Sequence, residues 1–314
     1  MIFSVFFVIL GLALLVAGAE GLVRAGVSIA LRLGVTPLVV GLTIVSMGTG
    51  SPELVVSSQA SLIGNSGIAL GSVVGSNISN TALILGAAAL IYPLKAQSQV
   101  VRREMPVMVI VTAILWLMIS DGLLSRIDGA ILLGGSVAYT FLVYYLARRS
   151  KKKRLEKQFT EALVEPSRTV WLDAVFLIGG VGLLVIGASL LIEGAVAIAK
   201  YLNISTVVIG LSLVAVGTSL PELATSTVAA YRKESDLALG NAIGSNIVNI
   251  LVVLGFAAIL NPISSSEIRT IDMAAMLGSG VFLWALLGFR FVLDRIEALI
   301  LLVVYSLYIY TLIP

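Results

Sequence analysis

Two carboxylic acids in this 314-residue chain stand deep inside apolar sequence. Glu53 ends the stretch Gly48-Thr49-Gly50-Ser51-Pro52-Glu53, and Glu222 ends Gly217-Thr218-Ser219-Leu220-Pro221-Glu222. Proline within a helix removes a backbone donor and displaces the preceding turn, and neighbouring glycines make non-helical dihedrals accessible. The break is expected to release backbone carbonyls, which in hydrocarbon must line a cavity or coordinate something. Each glutamate then falls in the first turn of a new half-helix, where the helix dipole favours an ionised carboxylate. Thr49 and Thr218, just before the breaks, can offer carbonyl and hydroxyl oxygen. Ser76, Asn77 and Asn80 in "GSVVGSNISN", with Ser245, Asn246 and Asn249 in "GNAIGSNIVN", add hydroxyl and amide oxygens. Ser76 and Asn80 are spaced i,i+4 and share a helix face.

Every candidate ligand is oxygen. Such a cage suits hard cations, above all Ca²⁺, which accepts six to eight oxygens in flexible geometry; Mg²⁺ demands a tighter octahedron and keeps its waters. Two carboxylates carry a charge of −2, which one Ca²⁺, two Na⁺ or two protons would neutralise. An uncompensated pair is too costly to reorient across a membrane, so the site should cross loaded, which is the physical basis of exchange. Cysteine and histidine are absent. That excludes disulfides, thiol chemistry and His- or Cys-ligated metal centres, and the chain is expected to have no cofactor and to be no enzyme.

The elements that must hold these residues are membrane helices. The chain is 59% hydrophobic and 12% charged, with a mean hydropathy of +1.08, more apolar surface than a soluble fold could cover. Apolar windows predict ten transmembrane helices at 2–20, 37–61, 67–91, 105–120, 126–147, 171–198, 205–230, 237–260, 271–289 and 294–313. The first lacks a basic leader and a cleavage site, so it is read as a mature helix. Shifted by 169 residues, the chain aligns with itself without a gap: "GLTIVSMGTGSPEL" lies over "GLSLVAVGTSLPEL", "LGSVVGSNISN" over "LGNAIGSNIVN", and "RIDGAILL" over "RIEALILL". Five helices per copy is an odd number, so the second copy must insert from the opposite side. The expected fold is therefore an all-α polytopic membrane protein of ten helices in two inverted five-helix repeats, 1–147 and 170–314, joined by a basic loop at 148–169. Inverted repeats with interrupted helices place a substrate site near the membrane midplane, as in secondary transporters.

The net charge of +3 does not predict a nucleic-acid partner, because the basic residues concentrate in "RRSKKKRLEK" from Arg148 to Lys157. The positive-inside rule makes 148–168 cytoplasmic and leaves both termini outside. Lys95, Arg102, Arg103, Arg232, Lys233, Arg290 and Arg295 then also face the cytoplasm, against Arg126, Lys200 and Arg269 outside. At about twenty residues the loop is too short for a folded calcium-sensing domain.

At these motifs the sequence resembles the cation/calcium antiporter superfamily, particularly the sodium/calcium exchangers and their prokaryotic relatives, and the resemblance covers the whole chain. It implies that Glu53 and Glu222 hold the ion. Carbonyls at Ser46, Thr49, Ala215 and Thr218 and side chains at Ser76, Asn80, Ser219 and Ser245 are implied as further ligands. It also implies exchange of Na⁺ for Ca²⁺ by alternating access, with the first and sixth helices sliding past the others. Two positions depart from the pattern: Asn249 stands where relatives commonly carry an acid, and Gly50 stands where they carry a serine, although Ser219 keeps it. The signature glutamate of H⁺/Ca²⁺ exchangers is missing from "GSVVG" and "GNAIG", so that activity is the alternative. A cation channel is the other class, disfavoured because a filter surrounds an axis along the membrane normal. The expected partners are Ca²⁺ and Na⁺ as substrates and a lipid bilayer, with a monomer embedded in the cell membrane. Outside the motifs, Glu20 and Arg24 are expected to form an i,i+4 pair, and Asp128 and Glu297 to act at helix starts.

Overall fold

The computed structural model describes residues 2–149, 169–201 and 217–312. The first helix, α1, runs over Ile2–Leu33, well past the expected end near residue 20. It continues because Glu20 and Arg24 neutralise one another, Nε to Oε1 at 2.7 Å, so neither charge interrupts it. Helices α2 (Pro37–Thr49) and α3 (Ser51–Leu62) meet at an angle of 48°. Asn65 caps α4 (Ser66–Ile91) by accepting from Ile68 N–H. Strand β1 is Leu94–Lys95, α5 is Val100–Asp121, β2 is Leu123–Leu124 and α6 is Arg126–Arg149. The second half supplies α7 (Val170–Tyr201), α8 (Leu220–Tyr231), α9 (Ser235–Leu260), β3 (Ile263–Ser264), α10 (Thr270–Arg290), β4 (Val292–Leu293) and α11 (Arg295–Tyr310). Among the described residues seven helices are long and apolar enough to cross a membrane, or eight if α2 and α3 form one span. The basic loop, and the stretch containing Ala215, lie outside the described residues.

Burial sorts these helices into layers. The apolar windows of α4 and α9 are 72% buried, whereas those of α1, α6 and α7 are 28%, 17% and 22% buried. The helices carrying the Ser-Asn motifs are thus the centre of the molecule, and α1, α6 and α7 present long apolar faces outward. Small residues bring backbones together, as expected where packing rather than hydrophobicity joins helices in lipid. A Cβ on Gly18 of α1 would lie 2.7 Å from Gly180 O, and one on Gly187 of α7 would lie 2.9 Å from Gly11 O, so neither can be anything larger. A Cβ on Gly244 of α9 would meet Leu42 Cα of α2 at 2.7 Å. Arg32 and Asp173 join α1 and α7 by an ion pair.

The connections pair across the two halves. β1 is antiparallel to β4, Leu94 opposite Leu293, and β2 is antiparallel to β3, Leu124 opposite Ile263. Under the 169-residue offset these two pairs interconvert. The offset-equivalent arginines also cross between halves to acceptors one residue out of register, Arg295 Nε donating to Leu90 O at 3.1 Å and Arg126 Nη2 to Leu260 O at 3.5 Å. Helix starts follow expectation: Asp128 accepts from Ser125 N–H at 2.9 Å, and Asp294 and Glu297 form a capping box.

Candidate functional site

The two proline motifs fold alike. Gly50 (φ −76°, ψ 5°) and Ser219 (φ −87°, ψ 6°) each leave helical geometry just before a new helix with proline in its first two positions. One sequence expectation needs refinement: Ser46 O is not released by the break. It accepts from Gly50 N–H at 3.0 Å, with the Thr49 hydroxyl at 3.5 Å. The regular i→i−4 bond thus persists up to the break, so only the remaining lone-pair capacity of this carbonyl is free.

Glu53 and Glu222 are each 1% exposed, so any charge they carry must be balanced within the protein interior. They lie close enough for their charges to repel, and neither takes part in an ion pair among the described residues. Each half-site also draws on a hydroxyl from the other half of the chain. The Ser219 side chain faces Glu53, and the Thr49 side chain faces Glu222.

The two half-sites are not equivalent. Around Glu53, Ser219 Oγ donates to Ser76 Oγ at 3.0 Å and Ser76 Oγ donates to Glu53 Oε1 at 3.4 Å, leaving Oε2 without a partner. The equivalent chain around Glu222 would run from residue 50 through Ser245, but Gly50 has no hydroxyl. Ser245 Oγ and both Glu222 oxygens are accordingly buried without hydrogen-bond partners. A Cβ on Gly50 would point into this half-site, 3.8 Å from Glu222 Oε1 and 3.6 Å from Asn249 Oδ1. The two departures noted in the sequence, Gly50 and Asn249, therefore adjoin one another.

Asparagines tie the central helices together. Asn249 Nδ2 donates to Asn77 Oδ1 at 3.1 Å, Asn77 Nδ2 to Asn246 O at 3.2 Å, and Asn246 Nδ2 to Thr81 Oγ1 at 2.8 Å. Asn249 thus turns its amide nitrogen into the network and leaves Oδ1 without a partner. Both amide atoms of buried Asn80 are likewise unpartnered. Asn80 is the second residue and Asn249 the first of π-helical turns, Ser79–Ile84 and Asn249–Leu254, at the middle of α4 and α9. Such wide turns recur at functional sites because they offset side chains from the regular helical rows.

Sequence reasoning missed Asn241. Its Nδ2 donates to Ser226 Oγ at 3.0 Å and to Glu222 O at 3.4 Å, and its Oδ1 accepts from the Thr49 hydroxyl at 3.1 Å. The first half holds a simpler version, Ser57 Oγ and Ser72 Oγ 2.9 Å apart, at the offset-equivalent positions. Polar residues recurring at one offset within apolar helices were the available signal. Thr218 stands at the second break and is partly exposed. Among the described residues no three acidic, His or Cys side chains converge. The donor set is two carboxylates with neutral hydroxyl and amide oxygens, which fits a hard cation and carries no soft ligand.

Comparison with known proteins places these features. The family model described as sodium/calcium exchanger protein matches residues 3–145 and 172–313, one segment in each half. The chain is 39% identical to the inner membrane protein YrbG of Escherichia coli over 264 residues, 83% of this chain and 81% of that one. It is 31% identical to the sodium/calcium exchanger MaX1 of Methanosarcina acetivorans over 343 residues, 95% of each. Among solved structures, the sodium-calcium exchanger NCX_Mj soaked with zero Na⁺ and Ca²⁺ superposes with a TM-score of 0.85 at 31% identity, covering 99% of both chains.

Proposed function

The chain belongs to the sodium/calcium exchanger family, and from that membership we propose that it exchanges Na⁺ for Ca²⁺ by alternating access at the Glu53–Glu222 site. The observation carrying this reading is a pair of fully buried acids from opposite halves, with unpartnered oxygens and, among the described residues, no ion-paired base. Their combined charge of −2 is met by one Ca²⁺ or by two Na⁺, so either load lets the site cross a low-dielectric layer that the bare pair could not. Glu53, Glu222, Ser76, Ser219, Ser245, Thr49, Asn80 and Asn249 would contribute side-chain oxygens. Ser46, Thr49 and Thr218, together with Ala215 outside the described residues, would contribute carbonyls. Asn241 would act as a positioning residue, fixing Thr49 against the backbone of Glu222.

Ten crossings follow if α2 and α3 make one span and α8 completes the span predicted at 205–230. The exchange of strand partners, β1 with β4 and β2 with β3, supports an inverted arrangement, because the 169-residue offset converts one link into the other, as a two-fold relation between the halves requires. Proteoliposomes loaded with Na⁺ and diluted into Na⁺-free medium containing ⁴⁵Ca²⁺ test the function. Uptake should follow the outward Na⁺ gradient and vanish when the gradient is collapsed. Uptake indifferent to Na⁺ but driven by a pH gradient would replace Na⁺ with H⁺, and sustained single-channel conductance would reject antiport.

A further inference from the structure

Beside the ion site the molecule carries a second polar cluster, joined to an apolar cleft of about 680 Å³ between α1 and α8. Leu12 and Val16 of α1 and Val228 and Tyr231 of α8 line the cleft. Leu12, Val16 and Tyr231 are 50%, 59% and 74% exposed, so it opens on the lipid-facing surface. Glu20 and Arg232 stand in its wall. Arg232 grips Glu20 with two bonds, Nε to Oε2 at 3.0 Å and Nη2 to Oε1 at 2.6 Å, while Arg24 Nε reaches Oε1 at 2.7 Å.

One carboxylate therefore serves two guanidiniums, and the cluster keeps a net positive charge. The guanidinium-bearing side chains remain 53% (Arg24) and 42% (Arg232) exposed, against 24% for Glu20, so donors stay available outward. Arg232 also lies at the basic end of the bundle. Asp236, four residues further on, accepts from Gln97, and the adjoining β1 pairs with β4, which brings the α8–α9 turn to the end that carries Lys95 and Arg290. An apolar cleft leading to exposed guanidiniums at one end of a membrane bundle complements one kind of molecule, an acyl chain bearing an anionic head.

We propose that this cleft binds an anionic glycerophospholipid, its phosphate on Arg24 and Arg232 and one acyl chain along Leu12, Val16 and Val228. The lipid would bridge α1 to α8, the half-helix that begins with the Glu222 motif. On the alternating-access reading proposed above, its binding would bear on any movement of α1 relative to the ion site.

The test is native mass spectrometry of the full-length chain in detergent, titrated with dioleoylphosphatidylglycerol or dioleoylphosphatidylcholine. The anionic lipid should be retained over the zwitterionic one by about fivefold, the effect of one uncompensated basic side chain near a headgroup. Arg24→Gln combined with Arg232→Gln should abolish that preference. Because Arg232→Gln also removes a partner from Glu20, Arg24→Gln is measured alone as well, and it should lower the preference with the Glu20–Arg232 pair intact. Val16→Trp, which fills the cleft without touching a charge, should reduce retention of both lipids. Equal retention by the unsubstituted chain, a preference surviving the double substitution, or an equal loss in Arg102→Gln would each overturn the assignment.

Discussion

At the scale of single residues, the proposed site turns on the hydroxyl that Gly50 lacks and the charge that Asn249 lacks. Glu53→Gln and Glu222→Gln each remove half of the negative charge from a buried site, so Na⁺-driven ⁴⁵Ca²⁺ uptake should fall by about two orders of magnitude in either variant. Gly50→Ser should supply the hydroxyl that Ser245 and Glu222 lack, although its Cβ would sit 3.0 Å from Ser46 O and that turn must yield slightly. Combined with Asn249→Asp, it should raise the Hill coefficient for Na⁺ in uptake assays; an unchanged coefficient would mean that the Glu222 half-site does not set the Na⁺ count. Asn241→Ala strips Thr49 and Ser226 of a partner, each worth about 1 kcal/mol, and should weaken apparent Ca²⁺ affinity several-fold. The two glutamates were legible in the sequence because proline, glycine and repetition all mark them. Asn241 was not, since an asparagine's partner lies wherever the fold brings another helix. The chain from Ser219 through Ser76 to Glu53 likewise crosses 143 residues between its first two members, a distance no spacing rule spans.

At the scale of elements, close helix contacts and a titrating turn give separate tests. Gly18→Ala inserts a methyl 2.7 Å from Gly180 O and should destabilise the α1–α7 contact by about 1–3 kcal/mol, read as a lower unfolding temperature in detergent. Gly182→Ala, in α7 with nothing within 4 Å, should instead be neutral or stabilising. In the turn between α8 and α9, burial and then the charge of Asp236 push Glu234 from 4.5 up to about 7. The folded chain thus holds this proton more tightly than the unfolded one. Its stabilising contribution is full below about 4.5 and is lost as pH rises to about 7, after which it stays constant. Thermal unfolding measured across that window should lose this slope in Glu234→Gln. Helices were readable from apolar windows, whereas the end of α1 was not, because its charges are cancelled by partners one turn away and on α8. The two-residue strands and π-helical turns carry no composition of their own; they arise from packing between elements.

At the scale of the whole molecule, the 169-residue offset made the duplication legible, and the inverted arrangement we propose makes a topological prediction. The chain contains no cysteine, so single substitutions report cleanly. Lys95→Cys and Asp121→Cys, both on exposed residues, should react with an impermeant thiol reagent from opposite faces of the membrane, Lys95→Cys from the cytoplasm. Labelling of both from one side would contradict the arrangement. The exchanged strands also bear on how such a chain comes to exist. Neither β1 nor β2 can close within the first half, since β1 waits for a segment synthesised roughly 200 residues later and β2 for one roughly 140 residues later. During insertion the first half must therefore persist with open ends until the last helices arrive. Severing the basic linker should leave two fragments that are inactive apart and active when co-expressed, the behaviour of a molecule whose ancestor assembled from two separate copies.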